Sequence, residues 1–252
     1  MIAGLAVAAL LAGQAAPDLQ RYEYRQRLMG VDFNLALYAP SEAVANAAAK
    51  AAFARVQRLN RILSDYEPES ELMTLCANSG PGKPVKVSPE LLFVLSRAQQ
   101  LSKQTGGAFD VTVGHLTRLW RNARRQRRAP KPKDIAQAKR RTGFQFVRID
   151  SKKQTVELRK VGMRLDLGGI AKGYAGDEAL KILRTHGVTR AMIDASGDVV
   201  VGDAPPGKRG WMIAIAPLST NDRVKPRTVL LKNAAVATSG DAYQFVEFHG
   251  QR

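Results

Sequence analysis

The chain has 252 residues, 45% of them hydrophobic, enough to bury a full core, and one large domain is the expectation rather than two small ones. Its formal net charge of +17 directs attention to anionic partners, and its single cysteine, Cys76, excludes an intrachain disulfide while leaving the redox compartment open. Cys76 reads as a small apolar filler on a helix, not as a catalytic thiol.

Residues 1–11 are uncharged and apolar, and small residues follow at Gly13, Ala15 and Ala16 before Pro17, the pattern of a signal peptide over residues 1–16. The stretch is too short to span a bilayer and has no lysine or arginine ahead of it. Residues 22–27 and 31–38 read as two strands joined at Met29-Gly30. Ser41 then serves as an N-cap, and Val44, Ala47, Ala48, Ala51, Val56, Leu59 and Leu63 recur at helical spacing up to Ser64. A short helix over residues 70–78 precedes a longer one that opens on Ser88-Pro89 and carries Leu92, Leu95, Ala98 and Leu101 on one face up to Gly106.

The next stretch concentrates the positive charge: Arg118, Arg121, Arg124, Arg125, Arg127, Arg128, Lys131, Lys133, Lys139, Arg140 and Arg141 are offset only by Asp134. Such a run suits a polyanion. No aromatic residue stands between Arg121 and Gly143, so nucleic-acid bases would find no stacking platform there and a nucleic-acid partner is not expected. The open alternatives for the run over residues 118–141 are a solvated basic loop and helix face, or attraction to an anionic membrane surface.

Beyond the run the period shortens. Residues 146–150, 155–159 and 163–167 read as strands, the helix after Gly169 extends to His186 with Gly187 as its stop, and residues 190–195, 198–202, 211–216, 228–231, 235–238 and 243–248 read as further strands. Helices first and strands later, with one strand-helix-strand insertion, predict an α+β fold with a mixed sheet flanked by helices. Residues 243–248 and the turn at His249-Gly250-Gln251 have no returning strand after them.

The most informative stretch is Leu165-Asp166-Leu167-Gly168-Gly169-Ile170-Ala171-Lys172-Gly173-Tyr174, where a strand runs into a helix through a diglycine. Glycines there let the backbone approach a ligand, the helix start offers free N–H groups and a positive dipole end, and Lys172 adds a charge one turn in. Asp166 is the anion nearby. The same residues also fit a tightly packed strand-to-helix turn with Lys172 solvated, and neither G-x-x-x-x-G-K-[ST] nor G-x-G-x-x-G is present.

Three further segments occur in order around the diglycine: Gly106-Gly107-Ala108-Phe109-Asp110-Val111-Thr112-Val113-Gly114-His115-Leu116 through Leu119-Trp120, then Asp194-Ala195-Ser196-Gly197-Asp198, then Ala237-Thr238-Ser239-Gly240-Asp241. With Leu28-Met29-Gly30, Ser64-Asp65-Tyr66 and Ser70-Glu71-Leu72, they make the chain resemble the FAD:protein FMN transferase (ApbE) family over residues 20–252. The resemblance implies one ApbE-like flavin transferase domain that moves FMN from FAD onto a threonine hydroxyl of an acceptor protein, such as a membrane redox-complex subunit, and releases AMP. It implies Mg²⁺ as the ion that neutralises the pyrophosphate. Hydrolysis of FAD to FMN and AMP, and FAD binding without turnover, remain alternatives.

By the same resemblance Met29 and Tyr66 enclose the flavin, Ala108, Phe109 and Asp110 line it, Asp166 and Lys172 contact FAD, and Gly169 lends Mg²⁺ a carbonyl oxygen. Without it, Phe109 and Met29 would read as core, and Asp110 as a carboxylate in need of a partner. His115 stands where the family commonly has proline, and Ser196 where a glycine is usual. The family elements H-x-I-D-P and T-A-D-x-x-x-T, which carry the candidate general base and the remaining metal ligands, do not occur. A domain lacking its C-terminal part is therefore expected, with poor Mg²⁺ binding, slow transfer, surviving weak FAD binding and an association-prone edge at residues 243–248. No general base is assigned, His249 reads as a turn residue, and neither Asp198 nor Asp241 takes a metal role. The leader and the resemblance together predict an exported protein, periplasmic or on the outer face of the inner membrane; Gln14 stands where a lipoprotein would need cysteine.

Overall fold

The computed structural model describes residues 18–215, 227–238 and 247. Two strands, β1 (Gln20–Leu28) and β2 (Val31–Ala39), pair antiparallel around Met29 and Gly30, both at positive φ. That is the backbone a two-residue hairpin needs for its twist to match the strands. The chain then leaves the sheet for α1 (Glu42–Leu63), capped by Ser41, α2 (Glu71–Asn78), capped by Ser70, the short β3 (Val85–Lys86) and α3 (Pro89–Gln104), capped by Ser88 with proline in its first turn. A 3₁₀ turn over Val111–Val113 leads into α4 (Gly114–Gln126), and α5 (Pro132–Arg140) packs against it.

After β4 (Val147–Asp150), β5 (Thr155–Leu158) and α6 (Ala171–Thr185), the chain returns to the first sheet as β6 (Ala191–Ala195) and β7 (Asp198–Val201). A second two-residue turn, Ser196-Gly197 with φ of 55° and 94°, joins them. The hairpin partners β8 (Trp211–Ile215) and β9 (Arg227–Leu231) follow, then β10 (Ala234–Ala237). The sheets are β1-β2-β6-β7-β10, β3-β5-β4 and β8-β9.

Alternation on the five-stranded sheet divides its two faces. Leu35, Leu37, Ile193 and Val200 join the helices in the main core, while Ala36, Val199 and Val201 pack under Trp211 of β8 in a smaller one. Gly176 lets α6 settle on β7, where an added Cβ would meet Val200 Cγ2 at 2.7 Å.

The α+β class is as expected, but every described strand pair is antiparallel, so the sheet is not mixed. Residues 163–167, expected as a strand, form none. Their backbone bonds go elsewhere: Asp166 N donates to Val111 O at 2.8 Å, Gly114 N donates to Arg164 O at 3.1 Å, and Leu165 N donates to Cys76 Sγ at 3.4 Å. A 3₁₀ turn and a helix occupy the place of a partner strand. Cys76 is a buried filler whose thiol burial pushes upward in pKa, consistent with its packing role. The expected leader at residues 1–16, and most of the expected strand at 243–248 with its turn, lie outside the described residues. No described helix is long and apolar enough to cross a membrane.

Candidate flavin site

Two turns and the residue that follows β10 gather at one end of the five-stranded sheet. Strand pairing sets Phe33 beside Ala195 and Asp198 beside Ala237, so Met29-Gly30, Ser196-Gly197 and Thr238 share that end. Thr238 N and Thr238 Oγ1 both donate to Gly197 O, at 3.1 and 3.2 Å. The start of α6 joins them through an ion pair of 2.7 Å between Lys172 Nζ and Asp198 Oδ2, each side chain 25% exposed. Lys172 is therefore not solvated, and Asp166 is not the only carboxylate at this corner.

Neither glycine of the diglycine has a positive φ; what each supplies is close approach. A Cβ on Gly168 would lie 3.0 Å from Asp166 Oδ1, and one on Gly169 would lie 3.2 Å from Phe109 Cε2. Gly168 N donates to Asp166 Oδ1 at 2.8 Å, which turns the carboxylate back over the loop. Phe109 thus lies against Gly169. Asp110 is answered by the protein itself: its carboxylate accepts from Thr112 N (2.8 Å), Thr112 Oγ1 (2.7 Å) and Phe144 N (3.0 Å), fixing the loop that presents Ala108 and Phe109. Met29 sits half-buried against the main core at the hairpin tip.

Tyr66, 68% exposed, follows Asp65 in the loop after α1. The Arg121 guanidinium lies 4.3 Å from its ring centroid, a cation stacked on an aromatic face. The same guanidinium bonds two buried carboxylates: Nη2 reaches Asp166 Oδ2 at 2.7 Å, and Nη1 reaches Asp65. Those carboxylate side chains are only 6% and 7% exposed. Burial pushes the Asp65 carboxyl above the usual range, the Arg121 hydrogen bond pulls it down, and the Asp166 charge pushes it up. Tyr66 and Asp166 are thus brought to one point by a residue of the basic run over 118–141. Nothing local distinguishes Arg121 from Arg118 or Arg124; the distinction lies in two carboxylates remote in sequence.

The rest of the run forms α4, α5 and their connection, with Arg118, Arg124, Arg125, Arg127, Arg128, Lys131, Lys133, Lys139 and Arg140 exposed. His115, in the proline's place, sets Nε2 2.7 Å from Gly162 O. Beside the diglycine a groove of about 570 Å³ runs between α3, the start of α6 and the β7-β10 edge, lined by Phe93, Arg97, Gly169, Tyr174, Asp198 and Val236 among others. As for metal, no three His, Cys, Asp or Glu side chains converge among the described residues. Asp198 is paired with Lys172 and Asp166 with Arg121, so these residues do not by themselves make a magnesium site.

The ApbE family model matches residues 29–252. A Haemophilus influenzae protein named FAD:protein FMN transferase is 30% identical over 199 residues, covering 77% of this chain and 58% of that protein. A Treponema pallidum protein of the same name is 27% identical over 248 residues, covering 93% of the chain and 68% of that protein. The crystal structure of the ApbE protein of Thermotoga maritima superposes with a TM-score of 0.80 at 30% identity, covering 92% of this chain and 74% of that one. The apo flavinyl transferase ApbE of Pseudomonas stutzeri superposes with a TM-score of 0.78 at 26% identity, covering 92% and 72%. With a match that reaches from the first hairpin to the last residue, the chain belongs to the ApbE family.

Proposed function

We propose that this protein transfers FMN from FAD to a threonine hydroxyl of an acceptor protein in an Mg²⁺-dependent reaction that releases AMP. The observation that carries the reading is the convergence of Tyr66, an exposed aromatic face, and Asp166, a buried carboxylate, immediately ahead of a diglycine that opens a helix. Ring, acceptor and phosphate corner follow one another as they do in a flavin dinucleotide. The name shared by the curated relatives supports the same activity.

In this reading the isoalloxazine ring lies against Tyr66 and near Met29, Ala108 and Phe109, held in place by the loop that Asp110 fixes. Asp166 accepts a hydrogen bond from the ring, Lys172 faces the pyrophosphate, and the groove beside Gly169 gives room for the remainder of the dinucleotide. The threonine oxygen gives up its proton to solvent and forms a bond to the FMN phosphorus while the anhydride bond breaks and AMP leaves with its electron pair. Mg²⁺, when bound, neutralises pyrophosphate charge, with the Gly169 carbonyl as one donor. Export to the periplasm, or to the outer face of the inner membrane, and an acceptor in a membrane redox complex belong to the same proposal, as does an anionic surface facing the α4-α5 cations.

Incubation with FAD, Mg²⁺ and a threonine-bearing acceptor, followed by intact-mass and peptide mass spectrometry, tests it. The expected result is one FMN added slowly at the threonine, with AMP released in equal amount. FMN and AMP without an adduct would replace transfer by hydrolysis, and FAD retained unchanged would leave binding alone.

A further inference from the structure

We infer that Arg121 is the specificity gate of the flavin slot: it holds the face of Tyr66 and the carboxylate of Asp166, and a ligand enters by taking over both. The inference rests on the flavin reading above. Arg121 is singled out within its run by its bonds to Asp65 and Asp166; its side chain is 32% exposed, while Arg118, Arg124 and Arg125 lie open to solvent. A guanidinium is flat, and at 4.3 Å from the ring centroid it lies over one face of Tyr66, where a ligand ring would stack.

Withdrawal of Arg121 leaves a cost behind. Asp65 and Asp166 are both buried, and among the described residues Arg121 is the cation that pairs with both carboxylates; Arg164 reaches Asp65 through its backbone oxygen, at 2.8 Å. Without Arg121, Asp166 keeps only the Gly168 N–H and both buried charges lose their cation, which is strongly unfavourable. An entering ring therefore has to supply two things at once, a flat surface for Tyr66 and an N–H donor for a carboxylate. The pyrimidine edge of a flavin, an imide N–H between two carbonyls, supplies both. A flat ring without a donor supplies only the first. Apparent affinity is lowered by the fraction of molecules in which Arg121 holds the slot, so loosening Arg121 tightens flavin binding.

Riboflavin is the probe, because it carries no phosphate for the basic surface to attract. It is titrated into the protein, Arg121→Gln and Asp65→Asn, with thermal melting to confirm that each variant folds, and 3-methylriboflavin is titrated into the unaltered protein. Both variants are expected to bind riboflavin about three- to tenfold more tightly, because each weakens the hold on Tyr66. The methylated ring, which lacks the donor, is expected to bind the unaltered protein more weakly than riboflavin. Riboflavin affinity unchanged or reduced in both folded variants, with the unaltered protein still binding, overturns the gate and leaves the flavin reading in place. Absence of riboflavin binding by all three proteins overturns both.

Discussion

Lys172 Nζ lies 2.7 Å from Asp198 Oδ2, tying the first turn of α6 to the start of β7. The lysine that faces a phosphate in the proposed reaction is therefore held by a protein carboxylate until the ligand arrives. Lys172→Ala should lower affinity for FAD more than for riboflavin, because only FAD brings the pyrophosphate that an ammonium can bond. Asp198→Asn should do the opposite, freeing the lysine and favouring FAD. Equal changes for both ligands in either variant, read by calorimetry, would remove Lys172 from the phosphate corner.

The contact of α6 with the sheet gives a paired stability test. Gly173 has nothing within 4 Å of an added Cβ, whereas at Gly176 the Cβ would meet Val200 Cγ2 at 2.7 Å. Gly173→Ala should stabilise the helix by about 0.5–1 kcal/mol through propensity alone. Gly176→Ala should lower stability by about 1–3 kcal/mol through overpacking despite the same gain. Urea unfolding of the two variants checks the sign of each.

Arg55 bonds Glu90 at 2.9 Å and also Glu178, at the meeting of α1, α3 and α6, with all three side chains mostly buried. The Arg55 hydrogen bond holds Glu90 below the usual carboxylate range. Glu178 is lowered too, its burial outweighed by hydrogen bonds from Lys181 and Arg55. Groups with lowered native pKa contribute stability that is full above the unfolded value of 4.5 and is lost as pH falls through the native value. Arg55→Met should cost about 3 kcal/mol at neutral pH, because Glu90 and Glu178 keep only the more exposed Arg58 and Lys181, and the deficit should shrink as falling pH protonates the two carboxylates. A deficit independent of pH would show that Arg55 acts through packing alone.

Replacing Arg124, Arg125, Arg127 and Arg128 with serine should leave FAD affinity within about twofold, since all four are exposed and none pairs with Asp65 or Asp166. Salt-sensitive attachment to anionic vesicles should fall in the same variant. A loss of FAD affinity would extend the site along α4.

The elements were legible where local rules suffice. Ser41, Ser70 and Ser88 cap the helices they precede, and alternation along residues 31–38 and 191–195 places the strands. Residues 163–167 carry the same alternation, yet their backbone is bonded by Val111, Gly114 and Cys76, and pattern alone does not distinguish those partners from a neighbouring strand. Site residues quoted from motifs fall on one end of the sheet and around one guanidinium. What the sequence did not disclose is charge pairing: Lys172 with Asp198, and Arg121 with Asp65 and Asp166, are tertiary contacts between segments far apart in the chain. Arg121 was hidden among ten similar cations because its difference is its surroundings.

Calorimetric titration of FAD into the protein and into Tyr66→Ala tests most directly whether a flavin ring lies on Tyr66 next to Asp166. Tyr66 is 68% exposed, so its truncation removes the ring face with little effect on the core. The expected result is saturable FAD binding by the unaltered protein and about tenfold weaker binding by the variant, the loss of one aromatic stack. FAD affinity unchanged in a folded Tyr66→Ala protein would contradict that placement.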